Sequence, residues 1–159
     1  MKITILAVGK VKEKFYRDAI DEYVKRLSRY CKMEIVEVAD EKTEENSSDT
    51  EVELILEKEA QRILKCIRDD DHCIALAING KKMDSVAFSR RIDHLGIMGK
   101  SSLVFVIGGS LGLHSSVLKR ADELLSFSDM TFPHQLMRVI LAEQIYRGFR
   151  IARNEPYHK

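Results

Sequence analysis

The chain has 159 residues, 45% hydrophobic and 32% charged, which suits one domain with its own core and is short for two. Its formal net charge of +1 conceals an uneven spread: ten acidic residues against two lysines from Glu37 to Glu59, and five Lys or Arg against two Glu from Arg138 to Lys159. No run approaches the ~20 apolar residues of a membrane span, the N-terminus lacks a signal-peptide cleavage pattern, and three cysteines without CxxC spacing argue against a disulfide framework and for the reducing cytoplasm.

Short β-branched runs alternate with helical patterns along the chain. Ile3–Val8 reads as a first strand. Lys14 to Tyr30 reads as a helix with Phe15, Ala19, Ile20, Tyr23, Val24 and Leu27 on one stripe. Met33–Val38 is a second strand, and the polar stretch that follows, ADEKTEENSSDT, predicts an exposed loop. Val52–Ile67 is a second helix. Cys73–Ile78 is a continuous apolar strand that the Asn79-Gly80 turn signal would end, and Cys73 is most simply a small buried hydrophobe. Ser85 can cap a helix running toward Ile92. Leu103–Ile107 is another apolar strand, ending in Gly108-Gly109, with a short helix near Ser115–Ala121. LLSFSDMTF then supplies a fifth strand and its exit loop, and a last helix follows Pro133, from His134 to Arg150.

This order predicts an α/β fold with a mostly parallel sheet flanked by helices, because the central strands lack polar alternation. In such sheets ligands bind beyond the carboxyl ends of strands, which directs attention to the exits after Ile78, Ile107 and Phe127. The last helix is apolar all round, from Leu136 and Met137 through Val139, Ile140, Leu141, Ile145, Tyr146 and Phe149. A helix of that kind is buried on more than one side, and a second subunit would be one burying partner.

Four stretches can carry chemistry. The glycines of VIGGSLG have GGxxG spacing, so they form neither a P-loop nor a GxGxxG turn. They still allow close approach of backbone to a ligand, although a tight strand-to-helix turn would need them as well. SFSDMTFPH offers backbone groups and apolar side chains (Phe127, Met130, Phe132) suited to an adenine-type ring, with Asp129 placed for a ribose hydroxyl or as a simple acid before the helix. In the tail, Arg147, Arg150 and Arg153 recur every three residues, and Tyr157 and His158 follow Pro156. Arg can hold phosphate or a developing oxyanion, Tyr can stack on a base, and His can move a proton, whereas a solvated fringe would leave them idle. Lys10, Lys12, Lys14 and Arg17 could extend a basic surface for RNA or simply solvate a helix start.

Taken together, ITILAVGKVKE, IALAINGKKMDS, VFVIGGSLGL, FPHQLMRVILAEQIYRGFRI and the terminal PYHK resemble the ribosomal RNA large subunit methyltransferase H family, within the SPOUT superfamily. The likeness spans residues 2–159. It implies a single domain over residues 1–159 with a C-terminal trefoil knot, and a homodimer. It implies S-adenosylmethionine as methyl donor, no metal, and N3 of a pseudouridine in the 23S rRNA of the assembled ribosome as acceptor. Carried over position by position, Leu76, Gly108 and the loop Phe127, Ser128, Asp129, Met130, Thr131 and Phe132 would contact the donor. Arg153, Tyr157 and His158 would be catalytic. Two other readings compete: a Rossmann-type nucleotide-dependent oxidoreductase, with Asp129 on the ribose, and a non-catalytic ribosome-binding protein that uses the tail as an RNA contact.

Overall fold

The five apolar runs of the sequence become the five strands of one sheet. The computed structural model describes residues 1–159. Strands β1 (Lys2–Val8), β2 (Lys32–Val38), β3 (His72–Lys82), β4 (Ser102–Ile107) and β5 (Glu123–Ser126) line up as β2-β1-β4-β3-β5, with every neighbouring pair parallel. Helices α1 (Lys14–Leu27), α2 (Asp49–Leu64), α3 (Ser85–Ile97), α4 (Ser115–Arg120) and α5 (His134–Ala152) alternate with them.

Both faces of the central strands are buried. Ile3, Ile5 and Ala7 of β1 and Leu103, Phe105 and Ile107 of β4 pack with Leu27, Phe88, Ile92, Leu141 and Ile145 from α1, α3 and α5. The alternate residues Leu6, Val8, Val104 and Val106 pack with Ala60 and Ile63 of α2 and Val117 of α4. That is why these strands read as unbroken apolar runs. Cys73 is fully buried in the second cluster, and burial pushes its thiol up to about 11.

Three local features differ from the sequence reading. Asn79-Gly80 does not end β3; the strand continues to Lys82, and Leu125 pairs with both Leu76 and Lys81, so residues 77–80 bulge. Gly80 is required there, because a Cβ would stand 2.7 Å from the Leu124 carbonyl carbon and the Leu125 nitrogen. The cap of α3 is Asp84, whose carboxylate accepts the Ala87 N–H at 2.7 Å. Ser85 instead donates to Gln144 Oε1 at 2.7 Å and ties α3 to α5. Finally, α2 starts three residues earlier than expected, with Ser48 accepting the Glu51 N–H and donating to the Glu51 carboxylate.

Helix α5 lies between α1 and α3 against the sheet. Tyr146 meets the rings of Tyr23 and Tyr30 on one side, and Gly148 lets Ser89 of α3 approach on the other. Three sides of its all-round apolar surface are thus covered within the chain. The fourth carries Leu136, Val139, Ile140, Glu143 and Arg147 at helical spacing, all half-buried. No helix is long and apolar enough to cross a membrane.

Candidate active site

A cavity of about 390 Å³ opens beside the β3 bulge and beyond the ends of β4 and β5. Its walls come from the β3 bulge at Leu76–Ile78 and from two strand exits, Ile107–Leu113 and Leu125–Ser128, closed by Met130, Thr131, Phe132, His134 and Met137. Leu76, Gly108, Phe127, Ser128, Met130, Thr131 and Phe132 therefore line one space. Asp129 does not. Its side chain is 80% exposed and forms an ion pair with Lys82. The volume suits a compact organic ligand, and the lining is largely apolar with backbone groups interspersed, as such ligands require.

The walls are built by close backbone contact. A Cβ on Gly108 would stand 2.5 Å from the Gly112 carbonyl oxygen. Gly109 bridges to Gly112, which adopts φ +86°, so the loop folds back on itself before α4. His114 then caps α4: Nδ1 accepts the Ser116 N–H at 3.1 Å, which leaves Nε2–H to donate to Glu53 Oε1 at 2.6 Å. In the last loop Ser128 Oγ accepts the Met130 N–H at 3.0 Å, and Ser126 Oγ donates to the Ser128 carbonyl at 3.2 Å. These bonds fix the backbone groups that face the cavity.

Two residues in the first turns of α5 were not singled out from the sequence. Arg138 is fully buried. One guanidinium nitrogen donates to Glu37 Oε2 at 2.6 Å, and another to the carbonyls of Val8 and Gly9 at 2.9 Å each. Arg138 thereby joins the exit of β1 to the first turns of α5. Burial lowers its pKa against the pull of Glu37, but guanidinium remains charged. The available signal was its place on the α5 stripe with Leu141, Ala142 and Ile145. His134, one turn earlier, forms part of the cavity wall. Burial, and then the nearby Arg138 charge, lower its pKa, which keeps its imidazole neutral at pH 7.

The tail is folded rather than frayed. Asn154 takes a left-handed turn at φ 54°, and the chain returns along α5. Tyr157 donates to Glu143 Oε1 at 3.0 Å, sits edge-on to Tyr146 at 4.9 Å, and lies under the Arg147 guanidinium at 4.7 Å. Burial first, and then the bond to Glu143, raise its pKa well above the usual phenol range. The His158 Nδ1 lies 3.1 Å from an Arg147 nitrogen. Arg153 is exposed and covers the Tyr30 ring at 4.8 Å, and Arg150 binds the Pro156 carbonyl at 2.8 Å. Tyr157 and His158 thus meet at Arg147, whereas Arg153 lies apart over Tyr30, and none of the three lines the cavity. Glu143, which anchors Tyr157, lies nine residues along α5 from His134, about 13 Å at 1.5 Å per residue.

No group of three or more His, Cys, Asp and Glu side chains is arranged to hold a metal ion.

Comparison with known proteins gives concordant results. A family model described as "Predicted SPOUT methyltransferase" matches residues 1–158. A protein named ribosomal RNA large subunit methyltransferase H from Clostridium kluyveri is 58% identical over 159 residues, covering all of both chains. One of the same name from Bifidobacterium adolescentis is 62% identical over the same span. Among solved structures, a probable methylase family protein from Haemophilus influenzae aligns with TM-score 0.52 at 12% identity, over 99% of this chain and 70% of its own, a likeness of fold.

Proposed function

The chain belongs to the SPOUT methyltransferase family, and from that premise we propose that it transfers a methyl group from S-adenosylmethionine to N3 of a pseudouridine in 23S rRNA on the assembled ribosome, in the cytoplasm. The observation that carries this reading is the cavity that the β3 bulge and the exits of β4 and β5 form together. Its apolar walls suit an adenine ring, and its pinned backbone groups suit the ring's polar edge. The knot that goes with the family is part of the same proposal.

The donor's sulfonium carbon is already electrophilic, so the protein must position it and make N3 nucleophilic. The N3–methyl bond forms as the sulfur–methyl bond breaks, and the N3 proton must leave the ring. His158 is the proposed acceptor of that proton, because an imidazole does such work near neutral pH. Tyr157 is held as a phenol by burial and by Glu143, so its role is to stack or donate a hydrogen bond. Arg153 holds phosphate or the charge that develops on the base.

In one chain the tail and the cavity lie at different levels of α5. A homodimer joined across the half-buried outer face of that helix brings them together. With the two α5 helices antiparallel about a two-fold axis, each tail reaches the partner's cavity. Methyl transfer at saturating donor tests the roles: His158→Ala and Tyr157→Phe lower turnover far more than donor affinity. Full activity in a chain lacking Tyr157–Lys159 would refute the catalytic assignment. A non-catalytic ribosome-binding protein would bind RNA and transfer nothing. A nucleotide-dependent oxidoreductase would bind NADH in preference to S-adenosylmethionine, a reading that the SPOUT membership displaces.

A further inference from the structure

We infer that the segment joining β1 to α1 and the first turn of α1 form a second RNA contact, in which Phe15 stacks on an unpaired base beside the target nucleotide while Lys10 and Lys12 hold the flanking phosphates. The inference rests on the proposed rRNA methylation and identifies a positioning surface outside the donor cavity.

Phe15 is 63% exposed, although it lies on the apolar stripe of α1. Its ring packs against the Tyr16 ring, 4.3 Å away and tilted by 58°. Together they form one wall of a crevice completed by Glu13, Pro133, His134 and Gln135. His134 also lines the proposed donor cavity, so the crevice adjoins it.

The cations beside this crevice are free to act on a ligand. Lys14 is paired with Asp18 at 2.7 Å, whereas exposed Lys10 and Lys12 have no carboxylate partner. The backbone that presents them is fixed at four points. Gly9 N–H donates to the Val38 carbonyl at 2.8 Å, and Val11 N–H to Glu37 Oε2 at 3.1 Å. Lys12 N–H donates to Gln135 Oε1 at 3.0 Å, and Arg17 clamps the carbonyls of Val11 and Lys12 at 3.1 and 2.8 Å. Glu37 is in turn held by Arg138. A preorganised backbone loses little entropy when it binds, so only the two lysine side chains have to order on a ligand.

An exposed aromatic ring beside unpaired cations is the combination that single-stranded nucleic acid uses: stacking on the π-face and neutralisation of the backbone. A second copy of this chain fits less well. It would leave Lys10 and Lys12 without anions, and the outer face of α5 already offers the apolar surface a dimer needs.

The test measures ribosome binding without donor and methyl transfer with it, for wild type, Phe15→Ala, Phe15→Leu, Phe15→Trp, the double variant Lys10→Ala/Lys12→Ala, and Lys65→Ala as a distant control. Phe15→Ala and Phe15→Leu should raise KM and the ribosome Kd about tenfold, with kcat and donor affinity unchanged, and Phe15→Trp should restore both. The double lysine variant should make the log–log salt dependence of binding shallower by roughly 0.7–0.9 for each of the two phosphates it no longer neutralises. Unchanged KM and Kd in Phe15→Ala would overturn the inference. So would equal behaviour of the Leu and Trp variants, or weakened dimerisation in Phe15→Ala. If wild type binds ribosomes but transfers no methyl group, the proposed function fails, and the binding comparison still decides for or against this contact.

Discussion

Arg138 shows how one side chain shapes the site from behind its wall. It sets a fully buried charge against Glu37 and two carbonyls at the end of β1. Arg138→Met fills similar space but leaves those acceptors unpaired, so it should cost about 3–5 kcal/mol in urea unfolding. A loss below about 1 kcal/mol would mean that water replaces the arginine without penalty. Glu123 makes a second, pH-dependent clasp, binding Arg91 through both oxygens and His72 at 2.7 Å. Burial alone would raise its pKa, but the hydrogen bonds from Arg91 and His72 prevail and hold it below the usual carboxylate value. A depressed folded pKa contributes stability above the unfolded pKa, and that stability is lost as pH falls through the folded value. Glu123→Gln should therefore be less stable than wild type by about 1–3 kcal/mol at pH 7, and the gap should close on acidification. A gap independent of pH would assign the loss to packing instead.

At the scale of elements, the strands were legible in the sequence because the sheet is covered on both sides, and burial on both faces leaves an unbroken apolar run. The β3 bulge was not. Asn79-Gly80 reads as a turn locally, and what extends the strand past it is pairing with Leu125, far along the chain. Gly80→Ala puts a methyl group against that backbone and should destabilise the fold by about 1–3 kcal/mol. A melting temperature equal to wild type would mean that the bulge can open at no cost. The cap of α3 falls one residue before the expected serine, since Asp84 and Ser85 are both competent caps and only the tertiary demand of Gln144 separates them. Arg138 was missed because a charge inside an apolar stripe reads as a surface residue until its partners on β1 and β2 are in place.

For the whole molecule, the place of the cavity was largely legible. The strand-exit rule pointed to the ends of β4 and β5, and the positions taken from the family resemblance line the cavity with them, except Asp129, drawn outward to Lys82; the β3 wall is a bulge and not the exit expected after Ile78. The separation of tail and cavity was not legible, because it depends on how the chain turns back at Asn154. That separation leads to a prediction about the assembly. A chain lacking Tyr157–Lys159 and a chain with the cavity mouth blocked by Thr131→Trp should each be inactive alone. Mixed in equal amounts they should recover about a quarter of wild-type activity, since half the dimers then carry one complete site. No recovery, with exchange of subunits demonstrated, would place the tail's action within its own chain. The reaction itself is tested most directly by incubating the protein with labelled S-adenosylmethionine and intact ribosomes, separate subunits or naked rRNA, then mapping the label. One methyl group per ribosome should appear on N3 of a 23S rRNA pseudouridine, with intact ribosomes the preferred substrate; label on 16S rRNA, on protein or on no component would contradict the proposed function.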